Sequence, residues 1–199
     1  MPPDLRPATD LLARIVRGVR DDQLAAGTPC GGLAVGGLLD HVDSLAVAFA
    51  AAGAKQRLPD DGRAPVPDAG RLGDDWRDRL TARLGALADA WDGPDAWAGS
   101  THVGGGELPA EAAGLAALDE VLVHGWDVAV ATGQPAAGED PDVARQVQAA
   151  AGWVTAVVGA NPQGSAGLFG PPVAVPEDAA PFDRLLGLTG RDPAWRPPV

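Results

Sequence analysis

One stretch of 23 residues, 110–132, constrains the fold more than any other: it is apolar on almost every side and contains no Lys or Arg. A helix that is apolar all round is buried. Yet this one carries Glu120, His124 and Asp127, which at 3.6 residues per turn fall within a sector of roughly 60°. Asp119 lies off that sector. The same face otherwise bears small residues, Ala113, Ala117 and Ala131. A carboxylate and an imidazole are costly to bury unless they pair or bind a metal, and small neighbours leave room for an ion or for another backbone. Two readings stay open. Glu120 and His124 either hydrogen-bond across one helical turn, or serve as two ligands of a metal completed from another helix.

Bulk properties narrow the field. At 199 residues the chain is one domain, or one with a small appendage. The formal charge of -12 argues against nucleic acid and against an anionic membrane surface, since both require clustered Lys and Arg. No uninterrupted apolar run is long enough to span a bilayer, and the first residues lack the basic-then-apolar pattern of a signal peptide. A cytoplasmic protein is expected. A single cysteine, Cys30, rules out an intramolecular disulfide framework and a cysteine-cluster zinc site. Arg dominates over one Lys, and Ala and Gly abound, as in a GC-rich bacterial genome.

Hydrophobic periodicity predicts helices at 10–22 with Thr9 as N-cap, 34–54, 74–91, 110–132, 141–158 and 181–188. His41 lies between Leu38 and Leu45 on the inner side of the second. Residues 56–73, rich in Pro, Asp and Gly, predict a solvent-exposed loop. Residues 97–108, with His102 and Gly104-Gly105-Gly106, predict an extended piece or loop, and Val173-Ala174-Val175 a short extended segment. The expected fold class is all-α: a four-helix bundle over residues 1–165 with an additional helix, and a short irregular C-terminal extension over 166–199 packed on it.

Three motifs then line up: Thr28-Pro29-Cys30 leading to Leu38-Leu39-Asp40-His41; Glu120-x-x-x-His124-Gly125-Trp126-Asp127; and Phe169-Gly-Pro-Pro-Val with Asp183-Arg184-Leu185-Leu186 and Gly190-Arg191-Asp192-Pro193. Together they resemble the actinobacterial proteins whose metal-binding domain is similar to mycothiol-dependent maleylpyruvate isomerase, within the DinB/YfiT-like superfamily. That resemblance implies a DinB-like bundle holding one divalent metal through His41, Glu120 and His124. Zinc suits such ligands best, with nickel, iron and manganese open. It further implies an enzyme that uses a low-molecular-weight thiol such as mycothiol for isomerisation or S-transfer on a small electrophile. The alternative is a non-catalytic metal or ligand binder. Arg184 is the candidate cofactor-binding arginine of the short tail. Asp127 would fix the His124 ring, or cap the helix or lie at the surface, Cys30 would be a small buried residue or a reactive thiol, and His102 an exposed loop histidine. The oligomeric state is open, a homodimer included.

Overall fold

The computed structural model describes residues 1–135, 143–165 and 168–197. Its axis is helix α5, Ala110–Thr132, opened by Pro109 and closed by Gly133, whose φ of +70° gives the left-handed cap that glycine adopts without strain. Eighteen of its residues are buried, as the apolar sequence requires. Around it stand α1 (Arg6–Gly18), α2 (Val35–Gly53) and α3 (Trp76–Ala90). Helix α2 packs on α3 and α5, and α1 packs on the same two. The four therefore close a ring in the order α1, α3, α2, α5. By length and hydropathy α2 alone among the described helices matches a membrane span. Here it is a bundle helix, carrying Asp40, His41 and Asp43.

Helix α1 begins earlier than its periodicity suggests. Pro7 occupies the first turn, where its missing N–H costs nothing, and the Asp4 carboxylate accepts from Arg6 N at 2.8 Å. Thr9 is thus no N-cap: it is buried, and its hydroxyl donates to the Arg6 carbonyl at 3.0 Å. The helix also stops at Gly18 rather than continuing to 22: Val19 turns to an extended backbone, and its carbonyl accepts from the Arg77 guanidinium at 2.7 Å.

After α3, a single turn α4 (Pro94–Trp97) leads into a hairpin, β1 (Ser100–Val103) with β2 (Gly106–Pro109), antiparallel in the register Thr101 to Leu108. Gly104 and Gly105 both have positive φ, the two-residue turn that matches strand twist. The Thr101 hydroxyl donates to the Ala52 carbonyl at 2.7 Å and fixes the hairpin to α2. Gly114 lets Trp91 and Trp97 lie directly on α5. A Cβ there would sit 2.5 Å from the Trp97 ring and 2.7 Å from that of Trp91.

Residues 56–73 are more tightly held than an exposed loop. Arg71 pairs with the buried Asp40 at 2.5 Å, and the Asp68 N–H donates to the same carboxylate at 2.9 Å. Gly104 N and Gly105 N donate to the Gly62 and Asp61 carbonyls. The segment is strapped over the bundle beside His41.

Helix α6 (Ala144–Ala160) packs on α5, and α7 (Pro181–Leu188) on α6. The expected start of the fifth predicted helix at Pro141 lies outside the described residues, as does residue 166, the expected first residue of the C-terminal extension. Residues 173–175 run without a partner strand among the described residues, held by Val173 N to the Gly187 carbonyl at 2.8 Å.

Candidate metal centre

Spacing of four on α5 stacks Glu120 beneath His124, and the contact is direct: His124 Nε2 lies 2.8 Å from Glu120 Oε2. Helix α2 brings His41 against them. The two imidazoles meet edge to face, with ring centroids 5.3 Å apart and planes at 79°. One ligand atom from each of His41, Glu120 and His124 lies within 4.8 Å of the other two. His41 Nδ1 is buried with no partner among the described residues, an orphan that a cation would satisfy. Two imidazoles and a carboxylate, convergent and with a donor atom to spare, fit a divalent metal.

On its far side the His124 ring is held by Asp127, with Nδ1 to Oδ2 at 2.9 Å. Asp127 is fully buried and is neither a surface residue nor a cap. Its counter-charge is Arg191, whose Nη2 donates to Asp127 Oδ2 at 3.0 Å and whose Nη1 donates to the Thr189 carbonyl at 2.9 Å. A carboxylate behind a ligating imidazole fixes its tautomer and orientation. Sequence reasoning singled out Arg184 for this end of the chain. The structure instead leaves Arg184 exposed, donating to the Ala179 carbonyl of its own segment, and brings Arg191 to the cluster.

Charge inside the cluster is strongly coupled. Burial works against a charged His124 ring, but the hydrogen bonds and charges of Asp127 and Glu120 outweigh it and raise its pKa to about 10. Burial works against ionised Glu120 too, and His124 and His41 nevertheless hold its pKa below the usual value. Burial and the neighbouring His124 push His41 down, leaving it neutral near pH 7. Asp119, buried beside Glu120 with Oδ1 lacking a partner among the described residues, is pushed up to about 8. Without metal, His124 thus carries a proton on each nitrogen, one toward each carboxylate, as assigned from the contacts.

A metal must displace the proton facing Glu120. Zinc affinity should therefore climb about tenfold per pH unit between about pH 6 and 8, with one proton released per ion. Calorimetric titration in buffers of different ionisation enthalpy reads that number, and an affinity flat with pH would contradict the protonated ring. The same raised pKa gives the metal-free protein a stabilisation fully present below about pH 6.5 and lost as pH rises through about 10.

Cys30, in the turn before α2, lies half-buried with its thiol in the same neighbourhood as the His124 and Asp127 ligand atoms. Burial pushes the thiol pKa up, which keeps it protonated. His102 stands on β1 opposite Glu107, half-buried, on a strand rather than in a loop. A cleft of about 460 Å³ opens above His41 and Glu120, walled by Leu45, Phe49, Val103, Leu108 and Ala116.

The family model of the mycothiol maleylpyruvate isomerase N-terminal domain matches residues 5–129. The chain belongs to this family. The matched span contains His41, Glu120, His124 and Asp127 but not Arg191. The uncharacterized protein Rv0738 of Mycobacterium tuberculosis, and MT0763 of a second strain, are each 30% identical to it over 189 residues, 92% of this chain and 93% of theirs. Among solved structures, the chain is similar to the mycothiol-dependent maleylpyruvate isomerase, with TM-score 0.55 at 19% identity over 77% of this chain and 66% of the enzyme. A histidine-to-alanine mutant of that enzyme gives TM-score 0.57 over the same shares. The isomerase-domain fold is thus the DinB-like bundle that the resemblance implied, while a third of the solved enzyme has no counterpart here.

Proposed function

We propose that this member of the isomerase-domain family is a divalent-metal-dependent enzyme that binds a low-molecular-weight thiol of the mycothiol kind and directs it at a small electrophile. The observation that carries the reading is the convergence of His41, Glu120 and His124 ligand atoms within 4.8 Å at the base of a cleft. Family membership and the name of the solved relative, a mycothiol-dependent isomerase, support the thiol.

In this reading His41, Glu120 and His124 would hold the metal, zinc by preference. A metal bound there would supply the Lewis acidity that lowers the pKa of a thiol toward neutral pH. Asp127 holds the His124 ring in one orientation, and Arg191 neutralises Asp127. The apolar wall of Leu45, Phe49 and Leu108 excludes water from the electrophile. Thiol addition to an activated double bond followed by elimination gives isomerisation, and displacement of a leaving group gives S-transfer.

The test is thiol consumption or cis–trans conversion by the zinc-loaded protein, with mycothiol and a panel of conjugated cis-alkenes and alkyl halides. Turnover that falls to background on chelation and returns with zinc is the expected result. Stoichiometric zinc without turnover of any thiol would leave a metal binder and end the enzymatic reading.

A further inference from the structure

We propose that Arg63 is the specificity-determining residue of this cleft, anchoring a single carboxylate on an otherwise apolar electrophile. The inference rests on the thiol-enzyme reading for what happens at the base of the cleft, and on separate observations for what happens at its rim.

The cleft is lined by fourteen residues, of which only His41, Arg63 and Glu120 are ionisable. His41 and Glu120 belong to the metal end. Among the described residues Arg63 is therefore the one permanent cation facing the space, and the rest of the described wall is Leu, Phe, Val, Ala, Pro and Gly. Its neighbours are committed: Arg57 to Asp61, Arg71 to Asp40, and Arg79 and Arg83 to Asp43. Arg63 makes no side-chain hydrogen bond or ion pair among the described residues. In a chain of formal charge -12, acidic groups are plentiful, so a guanidinium without one is left for something else.

The side chain is also placed rather than loose. Arg63 N donates to the Asp60 carbonyl at 3.1 Å, and the flanking Gly62 and Asp61 carbonyls accept from the hairpin tip at Gly104 and Gly105. The guanidinium rests on Gly105, where a side chain has been dispensed with. A Cβ there would stand 2.5 Å from Nη2 and 2.9 Å from Cζ and Nε. Loop and hairpin thus form a joined rim that presents a planar fork to the cleft. Such a fork matches a carboxylate, which it can bind through two parallel N–H donors. One cation among apolar walls selects a monocarboxylate: its charged head at the rim, its apolar body along Leu45, Phe49 and Leu108, and its reacting carbon toward His41 and Glu120.

Benzoate and its neutral isostere benzamide separate charge from shape. Titrated by calorimetry into zinc-loaded protein, benzoate should bind more tightly than benzamide, Arg63→Gln should weaken benzoate about tenfold without affecting benzamide, and Arg63→Lys should retain part of the preference. Arg63 is exposed, so thermal unfolding of both variants should match the wild type. Benzoate binding that survives Arg63→Gln but disappears with zinc would place the carboxylate on the metal and overturn the proposal. Absence of any benzoate preference in the wild type would overturn it equally. Zinc content measured on the same samples reports on the centre separately. A wild type that binds no zinc but still discriminates benzoate through Arg63 would fail the thiol-enzyme reading alone.

Discussion

Replacement of His124 by alanine should abolish stoichiometric zinc binding, with affinity falling by about a hundredfold to several thousandfold. Three protein ligands share a binding free energy of about 10–16 kcal/mol in well-formed zinc sites, so removal of one withdraws about 3–5 kcal/mol. Of the three proposed ligands, His124 is the one whose loss should do most damage, because it alone touches both halves of the cluster: Glu120 at 2.8 Å on one nitrogen and Asp127 at 2.9 Å on the other. His41→Ala and Glu120→Ala should act in the same direction. Metal analysis after gel filtration, beside far-ultraviolet circular dichroism to confirm the fold, gives the result. Wild-type zinc content in any one of the three variants would remove that residue from the ligand set. Thiol turnover should vanish in parallel with the metal, and turnover that persists without zinc would separate the chemistry from this centre.

The second large effect is on stability. Arg191→Ala removes one of the two cations on the fully buried Asp127 carboxylate and leaves the His124 ring alone to balance both Asp127 and Glu120, and breaking a buried pair by removing one partner costs about 3–5 kcal/mol. For a chain of this size that corresponds to a fall in Tm on the order of 10 °C, read by calorimetry or circular dichroism on the metal-free protein. Zinc affinity should also weaken by about 10–100-fold, since Asp127, no longer oriented by Arg191, holds the His124 ring less rigidly. The double variant Asp127→Ala with Arg191→Ala should regain part of the stability but not the zinc affinity, because the excess negative charge is gone while the ring is unsupported. An Arg191→Ala protein as stable as the wild type would mean that Asp127 finds its counter-charge elsewhere.

What could be read from the sequence was whatever has a local signature. Helix α5 was legible to the residue because Pro109 and Gly133 punctuate it and no Lys or Arg interrupts its apolar surface. Helix α7 was legible for the same reason, Pro181 opening a short stripe of Phe182, Leu185 and Leu186. The Glu120–His124 pair followed from a spacing of four. His41 was legible as inward-facing, and its place in a ligand set came with the family resemblance. The ring order of the helices, which makes α2 and α5 neighbours, leaves no trace in periodicity.

The misses are equally physical. Thr9 was read as a cap because its residue type suits one and an apolar stripe follows, whereas Asp4 and Pro7 together start the helix a turn earlier. The hairpin was underread because two four-residue strands carry too little alternation, although Gly104-Gly105 is the two-residue turn signal that could have found it. Arg191 was passed over for Arg184 because its partner lies 64 positions away. A contact at that separation has no pattern in the chain, and Arg184 stands in only for the substrate-contacting arginine that the family resemblance implies. Arg63 had no signal at all: its setting is made by a glycine on another element.

That 64-residue separation between Asp127 and Arg191 carries a consequence for biosynthesis. While the ribosome is still adding the residues between them, α5 has emerged with its acidic side chains but without the guanidinium that neutralises them. The bundle's own helices are all complete by residue 132, so in the order of synthesis the scaffold precedes its electrostatic keystone.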